Sequence, residues 1–165
     1  MTSTEVAIAT QTLGSAASSI TFNSIPATYT DLRIVLSVTA TASGSYATIQ
    51  FNGDTGSNYS YTLIRGNGST AASIRATNST RGFVLNSSDD IPTSFPALST
   101  IDIFSYAGST FKTLLSNGSD DKNGSGELNC WVNLWRSTAA INRVDLGGNG
   151  VNFAIGTTAT LYGIL

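Results

Sequence analysis

The feature that most constrains this chain is a period-two alternation of apolar and polar residues. In "DLRIVLSVTA", Leu32, Ile34, Leu36 and Val38 fall on one side of an extended chain, with Arg33, Ser37 and Thr39 on the other. Val35 is the one apolar exception. Successive side chains of a strand point to opposite faces, so the pattern predicts a half-buried strand. "YATIQFNG", "NYSYTLIRG", "STIDIFSYAG" and "GELNCWVNLWR" alternate in the same way, and "SSITFNS", "RGFVLNS", "INRVDLGG" and "TATLYGIL" read as shorter strands. Asn52-Gly53, Asn67-Gly68, Asn117-Gly118, the run from Gly147 to Gly150, and Pro26, Pro92 and Pro96 supply turn signals between them. No window carries a capped helical stripe. "DDIPTSFPALS" starts like a helix cap but is broken by its two prolines.

These patterns predict a single all-β domain over 1–165, an antiparallel β-sandwich or jelly-roll-like fold of about eight to ten strands. Residues 1–12 are expected to form an extended N-terminal arm or strand. "SNGSDDKNGSGE", the longest polar segment, reads as a loop at one end of the sandwich.

Composition then removes function classes. Only 11% of the 165 residues are charged, less than half the usual share, and Ser and Thr make up about a quarter. Arg33, Arg65, Arg75, Arg81, Arg136 and Arg143 are scattered singly and the net charge is −2, so no basic stripe exists to track phosphates. Nucleic acid is not an expected partner. No apolar run approaches the ~20 residues of a membrane span, and the N-terminus has neither the basic start nor the apolar core of a signal peptide. The expectation is synthesis in a cytoplasm without secretion. The Asn-x-Ser/Thr triplets at Asn58, Asn67, Asn78, Asn86, Asn117 and Asn123 read as products of composition rather than glycan sites.

The chain has no histidine, which excludes Ser-His-Asp and Cys-His nucleophile systems, a histidine zinc site and a histidine general base. A Ser-Lys pair would need Lys112 or Lys122, each in or beside a polar turn, whereas a catalytic lysine needs burial. Asp54, Asp89, Asp90, Asp102, Asp120, Asp121 and Asp145, with Glu5 and Glu127, are the carboxyls from which a hydrolytic pair would be drawn, but most sit in turn-like contexts. Asp121, Asn123, Ser125 and Gly126 echo the front of a calcium loop, yet the position for a bidentate glutamate is Val132. A solvated hairpin loop is the better reading. No cofactor, metal or catalytic residue is expected.

"FNGDTGSNYSY" contains the Asp-Thr-Gly of aspartic proteases. There the aspartate directly follows an apolar strand and is half-buried beside its partner. Here Asn52-Gly53 separates Phe51 from Asp54, which predicts a hairpin turn joining "YATIQF" to "YSYTLI" with Asp54 in water. Cys130, the one cysteine, has no intrachain partner; a small buried apolar residue is the default, and an intermolecular bridge the alternative. In "CWVNLW", Leu128, Cys130, Val132 and Leu134 share one face, with Trp131, Asn133 and Trp135 on the other. Apolar residues on both faces predict a strand covered on both sides. Trp131 and Trp135 are then core, a subunit or shell contact, or, with Tyr59 and Tyr61, a platform for sugar.

"LGSAASSITFNSIPATYTDLRIVLSV", "IQFNGDTGSNYSY" and "FAIGTTATLYGIL" resemble, in this order and over Leu13 to Leu165, small structural proteins of tailed bacteriophages, most familiar from phages of cyanobacteria and other aquatic bacteria. The resemblance implies a β-sandwich virion protein without catalytic residues. It implies a capsid decoration (cement) protein on the capsid exterior that binds the major capsid protein, as a homo-oligomer with a trimer favoured. The initiator Met and the end just after "LYGI" read as a free-standing protein, which favours decoration over the alternative. That alternative is a tail-fibre or adhesin module that binds host surface glycan or another tail protein.

Overall fold

The computed structural model describes residues 4–85 and 91–165. Asn86, Asp89 and Asp90 lie outside the described residues. Twelve strands are present among the described residues: β1 (Glu5–Thr12), β2 (Ser19–Phe22), β3 (Asp31–Val38), β4 (Ala47–Phe51), β5 (Tyr59–Gly66), β6 (Ala71–Ser79), β7 (Gly82–Leu85), β8 (Ala97–Ile103), β9 (Lys112–Asp120), β10 (Glu127–Trp135), β11 (Val144–Gly148) and β12 (Thr158–Ile164). They form an antiparallel β-sandwich. One sheet has eight strands in the order β1-β12-β3-β8-β9-β10-β5-β6, the other four in the order β2-β11-β4-β7.

Alternation builds the core as expected. Leu32, Ile34, Leu36 and Val38 of β3 are fully buried, joined by Ile101 and Ile103 of β8 and Leu161 of β12. Ile20, Phe22, Ile49, Phe51, Val144 and Leu146 of the smaller sheet close over them. Residues 5–12 are a strand that pairs with the C-terminal β12, so the two ends of the sequence meet at one edge. Asn133 ties the sheets together from inside: its amide accepts from the Phe83 N–H and donates to the Phe83 carbonyl, both at 2.9 Å. That reproduces a strand's own pairing and satisfies a buried polar side chain.

Two sequence expectations are corrected here. The segments before and after Asn52-Gly53 do not pair. β4 lies in the smaller sheet and β5 in the larger, between β10 and β6. The turn itself is real, since Asn52 and Gly53 both have positive φ and the Asp54 N–H donates to the Phe51 carbonyl at 2.8 Å. It reverses the chain so that 54–58 cross from one sheet to the other. The polar segment after Leu115 is also not all loop, because β9 runs on to Asp120 and only 121–126 connect to β10. Asn117-Gly118 sits inside β9, where Gly118 is a packing requirement rather than a turn. A Cβ there would lie 2.5 Å from Leu85 Cδ1 and 2.6 Å from Asn129 Oδ1.

Candidate functional site

The two faces of β10 have opposite fates. Trp131, Asn133 and Trp135 point into the sandwich and are buried. Leu128 and Val132 point outward, with Leu128 68% exposed, and Cys130 is exposed between them. The strand is therefore covered on one side only, and Cys130 is a surface thiol rather than a buried small residue. The reason lies in topology: the smaller sheet covers one face of the larger, and nothing among the described residues covers the other.

Strand register extends this surface across the sheet. Cys130 stands opposite Asn117 of β9 and Ile64 of β5, and Asn117 opposite Thr100 of β8, which faces Val35 of β3. The next row runs through Asp102, Leu115, Val132 and Thr62, and another through Leu98, Ser119, Leu128 and Gly66. Ile64 is 67% and Leu98 52% exposed. Gly66, directly opposite Leu128, carries no side chain, and a shallow hollow opens there between Ile64, Leu128 and Cys130. On the outer face of β8, β9, β10 and β5 the only charged side chain is Asp102, held by the Arg33 guanidinium at 2.7 Å. Arg33 also reaches Glu5 at 2.7 Å, and these carboxylates, the Asp102 hydrogen bond foremost, raise its pKa against the opposing effect of burial. Arg75 of the neighbouring β6 also faces outward, opposite Thr62, so the charges flank an apolar centre; exposed apolar patches of this kind are where proteins meet partners, membranes or ligands. The sequence does carry a signal for it. Val35, Ile64, Leu115 and the Leu128-Cys130-Val132 row are apolar residues on the side of the alternation that should be polar.

The aromatic candidates occupy the interior. Trp131, Trp135 and Tyr59 are at most 2% exposed, and only Tyr61 is half-buried. Trp131 stacks on Phe83, with Tyr61 edge-on to both, while Trp135 packs against Phe51 and Tyr59. Sugar stacking needs an open ring face, and the first three offer none because they are buried.

Asp54 is a structural clasp. Its carboxylate accepts from the Gly56 N–H at 2.8 Å, from the Asn58 amide through both oxygens, and from Trp135 Nε1 at 2.7 Å. It is partly shielded rather than fully in water. Burial pushes its pKa up, but the donations from Trp135, Asn58 and Gly56 outweigh that and hold it below the ordinary 3.8. The Tyr59 hydroxyl accepts from the Phe51 N–H and donates to the Asp54 carbonyl, and burial drives the phenol pKa upward. A proteolytic dyad needs a proton shared between two carboxyls, whereas every hydrogen bond described here at Asp54 comes from an amide or an indole.

A carboxyl with a lowered folded pKa stabilises the fold above its unfolded pKa and loses that contribution as pH falls through the folded value. Asp54→Asn is therefore expected to cost about 1–3 kcal/mol at neutral pH, the range for disrupting a partly buried charged hydrogen-bond set. Urea titrations at several pH values check this. The difference between wild type and variant should shrink below pH 3.8.

The remaining candidates are likewise engaged in structure. Lys112, expected to lack burial beside a polar turn, is instead buried at the start of β9, where its ammonium donates to the Gly108 and Thr110 carbonyls and desolvation lowers its pKa. In the 121–126 loop, Asp121 accepts from the Gly124 N–H, while Asp120 accepts from the Glu127 N–H. Glu127 pairs with Arg65 at 2.8 Å. Among the described residues, no three cysteine or acidic side chains stand together as a metal would require. No family model, curated protein or solved structure matches the chain.

Proposed function

We propose that this chain is a bacteriophage virion structural protein, a capsid decoration protein that works by burying β-sandwich surface against neighbouring subunits. The observation that carries the reading is the outer face of the eight-stranded sheet: apolar at its centre, with its charges at Arg33, Glu5, Asp102 and Arg75 toward the two sides, and open in the single chain. The likeness of three segments to tailed-phage structural proteins gives that surface a setting, with the major capsid protein as the lattice bound and a homo-oligomer as the working unit. Surfaces rich in Ser and Thr suit this role, since hydroxyls keep the protein soluble while leaving little charge to desolvate on assembly. The tail-fibre reading draws its sugar contact from aromatic rings of which Trp131, Trp135 and Tyr59 are buried and only Tyr61 is partly open, so it has less support.

The test is the place of the protein on purified particles, read by antibody-gold labelling and electron microscopy. Label distributed over the head in many copies is the expected result. Label confined to the tail would replace this reading with the tail-fibre one, and unlabelled particles would remove both.

A further inference from the structure

The chain holds five Asn-Gly pairs, beginning at Asn52, Asn67, Asn117, Asn123 and Asn149. We propose that Asn123 is a site of self-modification, where the chain converts this asparagine to aspartate and isoaspartate with the Asp121 carboxylate as proton acceptor. The Gly124 nitrogen bonds to Asn123 Cγ and closes a succinimide ring, while the bond from Cγ to Nδ2 breaks. The proton lost by the Gly124 nitrogen passes through Asp121 to the departing amino group, which leaves as ammonia. Water then adds across either imide bond, giving aspartate or isoaspartate, and nothing is oxidised or reduced. Glycine favours the step because it has no side chain to obstruct the approach.

The fold restrains the other four pairs. Asn52 is tied at both ends of its amide: Nδ2 donates to the Ala140 carbonyl at 2.8 Å, and Oδ1 accepts from the Asn142 and Arg143 N–H groups. Asn67 Oδ1 accepts from the N–H and hydroxyl groups of both Ser69 and Thr70. Asn149 Oδ1 accepts from the Arg81 guanidinium at 3.3 Å, and its own N–H donates to the Tyr46 carbonyl. Asn117 has an exposed side chain, but Gly118 stands in β9 between Ser99 of β8 and Asn129 of β10. Ladders on both sides therefore fix the peptide that would have to turn.

Asn123 has neither restraint. It lies in the 121–126 connection, beyond the last β9–β10 pair, and is exposed to the water that reopens the ring. Among the described residues nothing hydrogen-bonds its side chain. The attacking nitrogen is engaged by a base instead of a ladder, since the Gly124 N–H donates to Asp121 Oδ1 at 2.7 Å. A general base must stand within hydrogen-bond reach of the proton it takes, and this contact meets that condition. Asp121 and Gly124 border one hollow with Gly66 and Leu128, so conversion places a new negative charge at the rim of the open face.

Incubation of the full chain in mildly alkaline buffer, followed by unfolding, trypsin digestion and mass spectrometry, tests this. Cleavage after Lys122 and after Arg136 separates Asn123 from the other four pairs. Asn123 should convert at least tenfold faster than any other pair, its products resolving by chromatography into aspartate and isoaspartate forms of equal mass. Asp121→Asn keeps a hydrogen-bond acceptor in place and removes the base, so conversion should slow several-fold with circular dichroism unchanged. In concentrated urea the ranking of the five pairs should collapse. Conversion led by another pair, an Asp121→Asn chain that converts as fast as wild type, or a ranking that survives unfolding would overturn the proposal.

Discussion

Trp135→Ala is expected to lower the unfolding free energy by about 3–5 kcal/mol, the range for truncating a large buried aromatic. The indole is 2% exposed and lies against Phe51 at 5.4 Å between ring centres and nearly parallel to Tyr59 at 6.4 Å. Its N–H is also one of the donors that hold the Asp54 carboxylate, so truncation opens a cavity and loosens the crossover between the sheets. Trp135→Phe separates these effects: it keeps most of the packing and loses the N–H, which is expected to cost about 1–3 kcal/mol. Trp131 provides the control. Its Nε1 is buried and has no hydrogen-bond partner, so Trp131→Phe gives up volume but no bond. Urea denaturation should rank Trp135→Phe as the costlier substitution. The reverse order would mean that the Asp54 contact contributes nothing to the fold.

Gly163→Ala is the second large effect, expected at about 2–3 kcal/mol in the upper part of the range for overpacking a filled site. Gly163 sits in β12 between Val6 of β1 and Leu32 of β3, and the Tyr29 ring lies flat over the bare backbone. A methyl group at this position would occupy space held by Tyr29 Cγ, Cδ1 and Cδ2. A ring cannot bend aside as the end of a flexible chain can, so Tyr29 must leave its seat beside the core. Removing the ring should relieve the clash. In a thermal-denaturation cycle, Tyr29→Ala and Gly163→Ala should be markedly non-additive, the double variant costing less than the sum of the singles. Additive costs would show that the two residues do not compete for space.

Much of the fold was legible in the sequence because one face of each long strand is buried and the other is not. β3 is the clearest case, its four alternating apolar residues all fully buried. β6 was not legible: in "AASIRATNS" nothing alternates, because an edge strand extending beyond the smaller sheet has little to bury on either side. β9 was hidden by Asn117-Gly118, since a local turn signal cannot reveal that Leu85 needs the space above Gly118. The false hairpin at Asn52-Gly53 has the same origin. Turn chemistry fixes a reversal of the chain, but which strands pair afterwards depends on contacts remote in sequence, here β5 with β10 and β6. The open face was half legible. Apolar residues on both sides of β10 predict a strand covered on both sides, and the structure leaves one of those sides open in the single chain.

Cys130 gives the most direct test of the central claim, that this open face is covered by protein in the working state. It is the one cysteine in the chain, it is exposed in the monomer, and it lies in the middle of the apolar rows. The rate of maleimide labelling can be followed for the free chain and for the chain on purified particles. The expected result is labelling several-fold slower on intact particles, with the free-chain rate recovered when the particles are dissociated. A Cys130 thiol that labels on intact particles at the free-chain rate would contradict it.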